Sequence, residues 1–143
     1  MITVEFNGEK KATVALGKLE NVEKFVKAPP RSFWAALGRI AKSGVIQNFV
    51  EGADLSTGQR WKRKKDGKRS FLTKTKTLRK VVSQSDENGA QVGTNIVYGR
   101  IHHFGGTAGR CRRVEIPARP WLTISDDTKK KIANLVIQSN IGI

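Results

Sequence analysis

The first residues alternate between apolar and polar side chains, which predicts a β-hairpin at the start of the chain. The alternation runs over residues 2–6 and again over 12–16, and Asn7-Gly8 between them is a turn signal. A three-residue loop pairs Val4 with Ala12 and keeps the apolar positions on one face, which a two-residue loop does not. We therefore favour the longer loop.

Helical periods follow. Apolar residues at helical spacing predict a short helix that ends before Pro29-Pro30, because proline cannot continue a helix. Ser32 is the expected N-cap of a long helix over about residues 33–51. The broad apolar face of this helix consists of Phe33, Trp34, Leu37, Ile40, Ala41 and Val45.

A second apolar patch on the long helix points largely to the other side and consists of Ile46, Phe49 and Val50. One core cannot cover both sides of a helix. The patch therefore contacts another subunit or packs under the loop that follows, and the sequence leaves both alternatives open.

Residues 52–78 show no clean period and predict a long, solvated and mobile basic loop. Residues 60–80 hold 11 Lys or Arg and one acid, Asp66, so they carry +10 of the +15 formal net charge of the chain. A charge this large usually indicates a polyanionic partner. The candidate contact residues are Arg60, Lys62, Arg63, Lys64, Lys65, Lys68 and Arg69.

Two aromatic residues, Trp61 and Phe71, stand among these cations and allow two interpretations. Exposed aromatic rings can stack on nucleic-acid bases. Alternatively, Trp61 anchors the base of the loop to the core and the cations are only solvated. The polyanion can be DNA or an acidic face of a neighbouring subunit.

The second half of the chain predicts mixed helix and strand. A hairpin over residues 81–94 turns at residues 86–89, a short helix over 97–104 stops at Gly105-Gly106, and a strand over 110–116 ends at a proline. Ser125 caps a last helix over about 126–139. We expect one α+β domain over residues 1–143, with helices packed on one side of a small antiparallel sheet and a long basic loop.

Candidate chemistry is sparse. His102, His103 and Cys111 are the strongest candidates for metal ligands or a nucleophile pair, but adjacent histidines on a helix diverge by about 100°. We expect one histidine half-buried beside Phe104 and the other in solvent. The glycine-rich stretch 105–110 lacks the ending of a phosphate-binding loop and predicts a hinge. We therefore expect no enzyme, no metal and no cofactor.

The chain has 143 residues, the usual size of one domain, and a single cysteine, so it holds no internal disulfide. It starts without the basic region and apolar run of a signal peptide, and no stretch reaches the length of a membrane span. These features predict a soluble protein made inside the cell, with no membrane partner. We also expect no small-molecule substrate.

Three segments of the chain resemble the phage virion morphogenesis family, the tail-completion proteins of Mu-like and related phages. The first is the glycine loop after the long helix, at 49–52 and 58–61. The second, at 92–106, is similar to the family's glycine-threonine-asparagine turn followed by tyrosine and isoleucine-histidine-x-phenylalanine-glycine. The third, at 116–122, is similar to its isoleucine-proline-alanine-arginine-proline-aromatic-leucine. The resemblance covers about residues 33–140.

The resemblance implies a structural virion protein that completes the tail or the head–tail joint as a subunit of a ring, expected to be hexameric, around the DNA channel. Its partners would be further copies of itself, neighbouring neck, connector or tail-tube proteins, and DNA. It would be found in the virion neck or tail end, and in the host cytoplasm during assembly. The alternative is a non-enzymatic nucleic-acid-binding module that uses residues 60–80.

Two groups of residues follow from this interpretation. We expect the subunit interface to include Ile46, Phe49, Val50 and Arg119, whose guanidinium offers a fork for a carboxylate within the fold or across a subunit boundary. Aromatic and apolar side chains of the second segment are expected to fix the short helix against the sheet, and the prolines to stiffen the path to the last helix. These structural residues are Tyr98, Ile101, His102, Phe104, Pro117, Pro120 and Trp121.

Overall fold

The computed structural model describes residue 20, residues 22–68 and residues 78–141. The predicted N-terminal hairpin, Arg69 and Phe71 lie outside the described residues. A short helix, α1, covers residues 22–27, and its Phe25 ring packs edge-on against Phe33 at 5.0 Å.

The long helix α2 runs from Arg31 to Glu51, and the prediction that Ser32 caps it is wrong. Pro30 occupies the cap position with an extended backbone, and its carbonyl accepts a bond from the Phe33 N–H at 2.9 Å. Proline suits this position because its fixed φ matches the helix entry and it has no N–H to satisfy. Gly52 ends the helix in the left-handed conformation, as a glycine C-cap does.

The segment after α2 is more ordered than the predicted loop. Strand β1 (Ala53–Asp54) pairs antiparallel with β2 (Gln59–Arg60), so residues 52–60 form a tight hairpin. The N–H groups of Thr57 and Gly58 both donate to the Asp54 carbonyl and close its turn. The exposed cationic stretch therefore begins only after Trp61.

The hairpin predicted over residues 81–94 is confirmed. Strand β3 (Val82–Ser85) pairs antiparallel with β4 (Ala90–Gly93), with Ser85 opposite Ala90. The Asp86 carboxylate accepts the N–H groups of Asn88 and Gly89 and so fixes the turn. Helix α2 packs on both strands.

Helix α3 runs from Gly99 to Phe104 and stops at Gly105, as predicted. Val97, included in the helix predicted over 97–104, lies outside it and is 96% exposed. The hinge predicted at residues 105–110 is also wrong, because β5 (Gly106–Ala108) pairs with β6 (Val114–Ile116). A 3-10 turn at Arg110–Arg112 joins these two strands.

The last helix, α4, runs from Asp126 to Ile141 and is capped as predicted. The Thr128 N–H donates to the Ser125 hydroxyl at 3.3 Å, and Asp126 and Asp127 occupy the first turn. Helix α4 packs against α2 at Gly44, where an added Cβ would lie 2.5 Å from the Thr128 hydroxyl. Only glycine permits this approach.

The core lies where α2 packs against Trp61, residues 78–81 and Trp121. Its fully buried members are Val45, Phe49, Trp61, Leu78, Val81 and Trp121. Phe49 is 1% exposed and packs between the two tryptophan rings, at 5.7 and 5.6 Å. Its assignment to the far face of α2 is therefore wrong: it lies one helical turn beyond Val45, on the same side.

The α+β class is confirmed. In the described ranges the strands form three separate two-stranded antiparallel ladders, and α2 packs on the β3–β4 ladder. No helix among these residues is long and apolar enough to cross a membrane.

Candidate polyanion-binding surface and its anchor

The cationic segment consists of residues 62–68, which are all exposed. It folds back on itself at Asp66-Gly67, where the Lys64 N–H donates to the Lys68 carbonyl at 2.9 Å and the Asp66 carboxylate accepts the Lys68 N–H at 3.0 Å. Asp66 thus stabilises the turn, and in the described part of the chain no carboxylate forms a salt bridge with these cations. The segment presents its charge to solvent from a defined turn.

Trp61 anchors the start of this segment in the core. Its side chain is 6% exposed, its Nε1 donates to the Pro120 carbonyl at 2.9 Å, and its backbone N–H donates to the Gly52 carbonyl at 3.0 Å. A ring buried in this way is not available to stack on bases. Of the two interpretations of Trp61, the structure confirms the anchor.

Arg119 holds the next residue of the segment. It is 8% exposed; its Nε donates to the Lys62 carbonyl at 3.1 Å and its backbone N–H donates to the His102 carbonyl at 2.9 Å. Burial lowers the pKa of the guanidinium from its ordinary value. The predicted carboxylate partner is absent from the described residues, and a side chain enclosed by its own chain is a poor contact for a neighbouring subunit, so that assignment is corrected.

Trp121 ties the segment 116–122 to α3. The indole is 3% exposed and its Nε1 donates to the Gly99 carbonyl at 3.0 Å. The backbone N–H groups of Trp121 and Leu122 both donate to His103 Nδ1, at 3.3 Å. Helix α3 is therefore fixed by its glycine and by His103. Tyr98 and Phe104, predicted to fix it, are 43% and 71% exposed.

A buried polar network joins α2 to the same region. Asn48 is 0% exposed; its Nδ2 donates to the carbonyls of Trp121 and Thr123, at 2.9 Å each, and its Oδ1 accepts the Leu55 N–H. Thr123 in turn donates to the Asp54 carboxylate at 2.8 Å. Burial alone would raise the pKa of Asp54, but the hydrogen bonds from Ser56 and Thr123 outweigh it and hold the pKa below its ordinary value. Asn48 was not predicted from the sequence, although a polar residue between Val45 and Phe49 on the apolar face was the available signal.

The side chains considered for catalysis do not converge. Cys111 is exposed at the tip of the β5–β6 hairpin, and the described ranges contain no group of three or more His, Cys, Asp or Glu that could hold a metal. His103 lies 4.6 Å from the Phe104 ring, as expected for one histidine. The other, His102, is also half-buried, which corrects its placement in solvent.

The model of the phage virion morphogenesis family matches residues 9–139. The chain belongs to this family. It is 35% identical over 133 residues to "Mu-like prophage FluMu G protein 2" of Haemophilus influenzae, an alignment that covers 92% of this chain and 91% of that protein. No solved structure matches the chain.

Membership of the phage virion morphogenesis family indicates a virion-associated protein with a structural role in assembly. The match starts well before residue 33, where the resemblance was expected to begin. The residues of the third family-like segment form the joint that connects the core, α3 and the cationic segment. Pro117 and Pro120 are half-buried there, as is Ile101 on α3.

The histidines make the stability of this joint dependent on pH. Burial lowers the pKa of His102, and the charge of Arg119 lowers it further. Burial also lowers the pKa of His103, against the opposing effect of the Asp54 carboxylate. The unfolded chain therefore takes up protons first as pH falls, and protonation favours unfolding.

We expect the free energy of unfolding to have its full value above the ordinary histidine pKa of 6.5 and to decrease as the pH falls below it. Urea unfolding at several pH values between 8 and 5, roughly spanning the histidine range, measures this. The His103→Gln variant, whose side chain can still accept a hydrogen bond, should show a shallower dependence. A flat profile for the unsubstituted protein would contradict the expectation.

Proposed function

We propose that this chain is a non-enzymatic structural subunit that completes the tail, or the head–tail joint, of a phage or phage-derived particle. It acts as one member of a ring around the DNA channel, and six-fold order would match a tail. The proposal that the subunit faces the channel rests on the exposed cationic segment 62–68, which Trp61 and Arg119 hold to the core. Family membership supports the assembly role.

The arrangement suits a channel lining because its start is anchored in the core and its cations form no salt bridge with the described residues. Lysine and arginine contacts to phosphate are independent of base sequence, which is what passing DNA requires. The five cations of the segment are Lys62, Arg63, Lys64, Lys65 and Lys68, and Arg60 on β2 is exposed beside them.

A closed ring repeats one heterologous contact between neighbouring subunits. We propose that the exposed side of α2 contributes to this contact through Val50, which is 45% exposed. Ile46 lies one turn earlier but is partly buried and packs against the core, so it contributes only its outer edge.

Electron microscopy of intact particles from the producing host tests the proposal. Density for a ring of this chain at the neck or tail end, with the cationic segment facing the channel and Val50 at a subunit boundary, is the expected result. Absence of the chain from mature particles would contradict the structural role. It would favour the nucleic-acid-binding module, acting as a monomer or dimer outside the particle.

Removing the charge of the cationic segment is expected to lower the yield of infectious particles about tenfold or more, because several phosphate contacts are lost together. Plaque titre and the DNA content of purified particles measure the effect. The variant replaces Lys62, Arg63, Lys64, Lys65 and Lys68 by glutamine.

The control variant removes five exposed cations from the helices, so that net charge changes equally. Its substitutions to glutamine are at Lys24, Arg31, Lys129, Lys130 and Lys131. A normal titre for the segment variant, or an equal loss for the control, would show that the position of the charge in the segment is unimportant.

A further inference from the structure

The β5–β6 hairpin carries a second concentration of positive charge. Its five-residue tip, Gly109–Arg113, joins Ala108 to Val114 and holds three arginines, all exposed. The hairpin has one acid, Glu115, which pairs across the ladder with Thr107. In the described part of the chain these arginines form no salt bridge.

Arg110, Arg112 and Arg113 lie within four consecutive residues, so their like charges repel one another in the isolated chain. No salt bridge among the described residues offsets this repulsion. The backbone adds strain, because Cys111 and Arg112 are left-handed, with φ of 61° and 52°, where glycine or asparagine would be relaxed. A tip that keeps arginine at such a position favours a negatively charged partner over a purely structural turn.

This tip and the cationic segment 62–68 are attached to the fold at the same place, residues 116–119. Gly105 packs on the chain at Ile116 and Ala118, where an added Cβ would lie 2.8 Å from the Ala118 nitrogen. The next residue, Arg119, donates to the Lys62 carbonyl at 3.1 Å, so the segment starts where the hairpin ends. The close packing of Gly105 and the Arg119–Lys62 hydrogen bond fix their relative placement at this point.

The distance between the two cationic elements is bounded by the chain. The path from Arg113 to Lys65 takes three residue steps to Ile116, three more to Arg119, the Arg119–Lys62 hydrogen bond, and three steps from Lys62 to Lys65. Nine fully extended steps span at most about 32 Å, and the Arg119 side chain with its hydrogen bond adds roughly 10 Å. One turn of duplex DNA is about 34–36 Å long, so both elements can contact phosphates within about one and a quarter turns of one duplex.

We propose that Arg110, Arg112 and Arg113 form a second phosphate-binding element that acts jointly with the cationic segment on duplex DNA. Guanidinium groups suit phosphate because their planar forks match its oxygens bidentately. Neither element has an aromatic residue among residues 62–68 and 109–113, and Trp61 is buried, so the base-stacking used on single strands is missing there. The chemistry therefore fits the outside of a duplex.

This inference rests on the proposed function, which supplies the place where the chain contacts DNA. The inference itself is tested on the purified full chain. Fluorescence anisotropy of a labelled duplex of about 30 base pairs gives the dissociation constant at several salt concentrations, and the slope of log K against log salt reports the number of phosphate contacts. The tip variant replaces all three arginines by glutamine. Its matched control replaces Lys129, Lys130 and Lys131, three adjacent exposed cations of α4, by glutamine.

The unsubstituted chain should bind the duplex with a steep salt slope. We expect the tip variant to bind about tenfold or more weakly near 0.1 M salt and to reduce the slope by about 2–3, one unit for each lost phosphate contact. The variant of the cationic segment should lose at least as much, and the α4 control should change the slope by less than about one. Equal thermal unfolding of tip variant and control confirms that the fold is unchanged.

Three outcomes would overturn the inference: no binding by the unsubstituted chain, an unchanged slope for the tip variant, or an equal loss for the α4 control. Displacement of the duplex by polyglutamate at equal charge concentration would also overturn it, in favour of an acidic protein partner. None of these outcomes bears on whether a ring is seen in particles, so the two proposals fail separately.

Discussion

The Trp121→Ala variant is expected to lose about 3–5 kcal/mol of unfolding free energy, a large part of the stability of a domain this size. The indole is 3% exposed, packs on Phe49, and donates to the Gly99 carbonyl. Its removal leaves a cavity in the core and a buried carbonyl without its donor. Urea or thermal unfolding followed by circular dichroism measures the loss.

The neighbouring residue provides the control for this substitution. Leu122 is 42% exposed, so Leu122→Ala should change stability by less than about 1 kcal/mol. A loss for Trp121→Ala no greater than that of Leu122→Ala would show that segment 116–122 does not hold the core together. The Trp121→Phe variant separates the two contributions, because it restores much of the packing without the hydrogen bond.

The Asn48→Ala variant is expected to lose roughly 3 kcal/mol or more, although it removes only a small polar side chain. Asn48 is 0% exposed and its amide bonds to the carbonyls of Trp121 and Thr123 and to the Leu55 N–H. After truncation the buried Trp121 carbonyl and two partly buried backbone groups lose their partner, and an unsatisfied buried group costs about 1–3 kcal/mol. Chemical unfolding of the variant against the unsubstituted chain gives the difference.

Gln47 is the matched control because it precedes Asn48 on α2 and is exposed, and its amide donates to the Glu51 side chain at 3.3 Å. Gln47→Ala should stay within about 0.5 kcal/mol of the unsubstituted chain. Similar small losses for both variants would mean that water replaces the Asn48 bonds, and that the contact between α2 and residues 121–123 is open to solvent.

Local chemistry in the sequence was enough to predict several elements. The hairpin at Asp86 and the end of α3 at Gly105 depend on turn and cap residues next to them in the chain, and so does the start of α4 at Ser125. The predicted N-cap of α2 was wrong because Pro30 occupies the cap position two residues before Ser32 and needs no side-chain bond. Such rules use only neighbours, so they hold where no distant contact competes.

The contacts that make the site are distant in the chain and were not predictable in this way. Phe49 was placed by helical position, but the two tryptophans it packs between are 12 and 72 residues away. Arg119 was expected to meet a carboxylate, because a free guanidinium prefers one, yet the fold brings the Lys62 carbonyl to it. The exposure of residues 62–68 was predictable from their charge. The contacts that anchor the start of this segment were not.

The ties between α2 and the segment around Trp121 also constrain the order in which the protein folds. Asn48 bonds to residues 73 and 75 positions later, and Trp61 to a residue 59 positions later. Contacts of such sequence separation are slow to form, because a long loop must close first. During synthesis, Phe49 and Trp61 emerge long before their partners and remain exposed apolar surface until Trp121 has been made. Premature termination upstream of Trp121 would therefore yield a chain prone to aggregation rather than a smaller folded subunit.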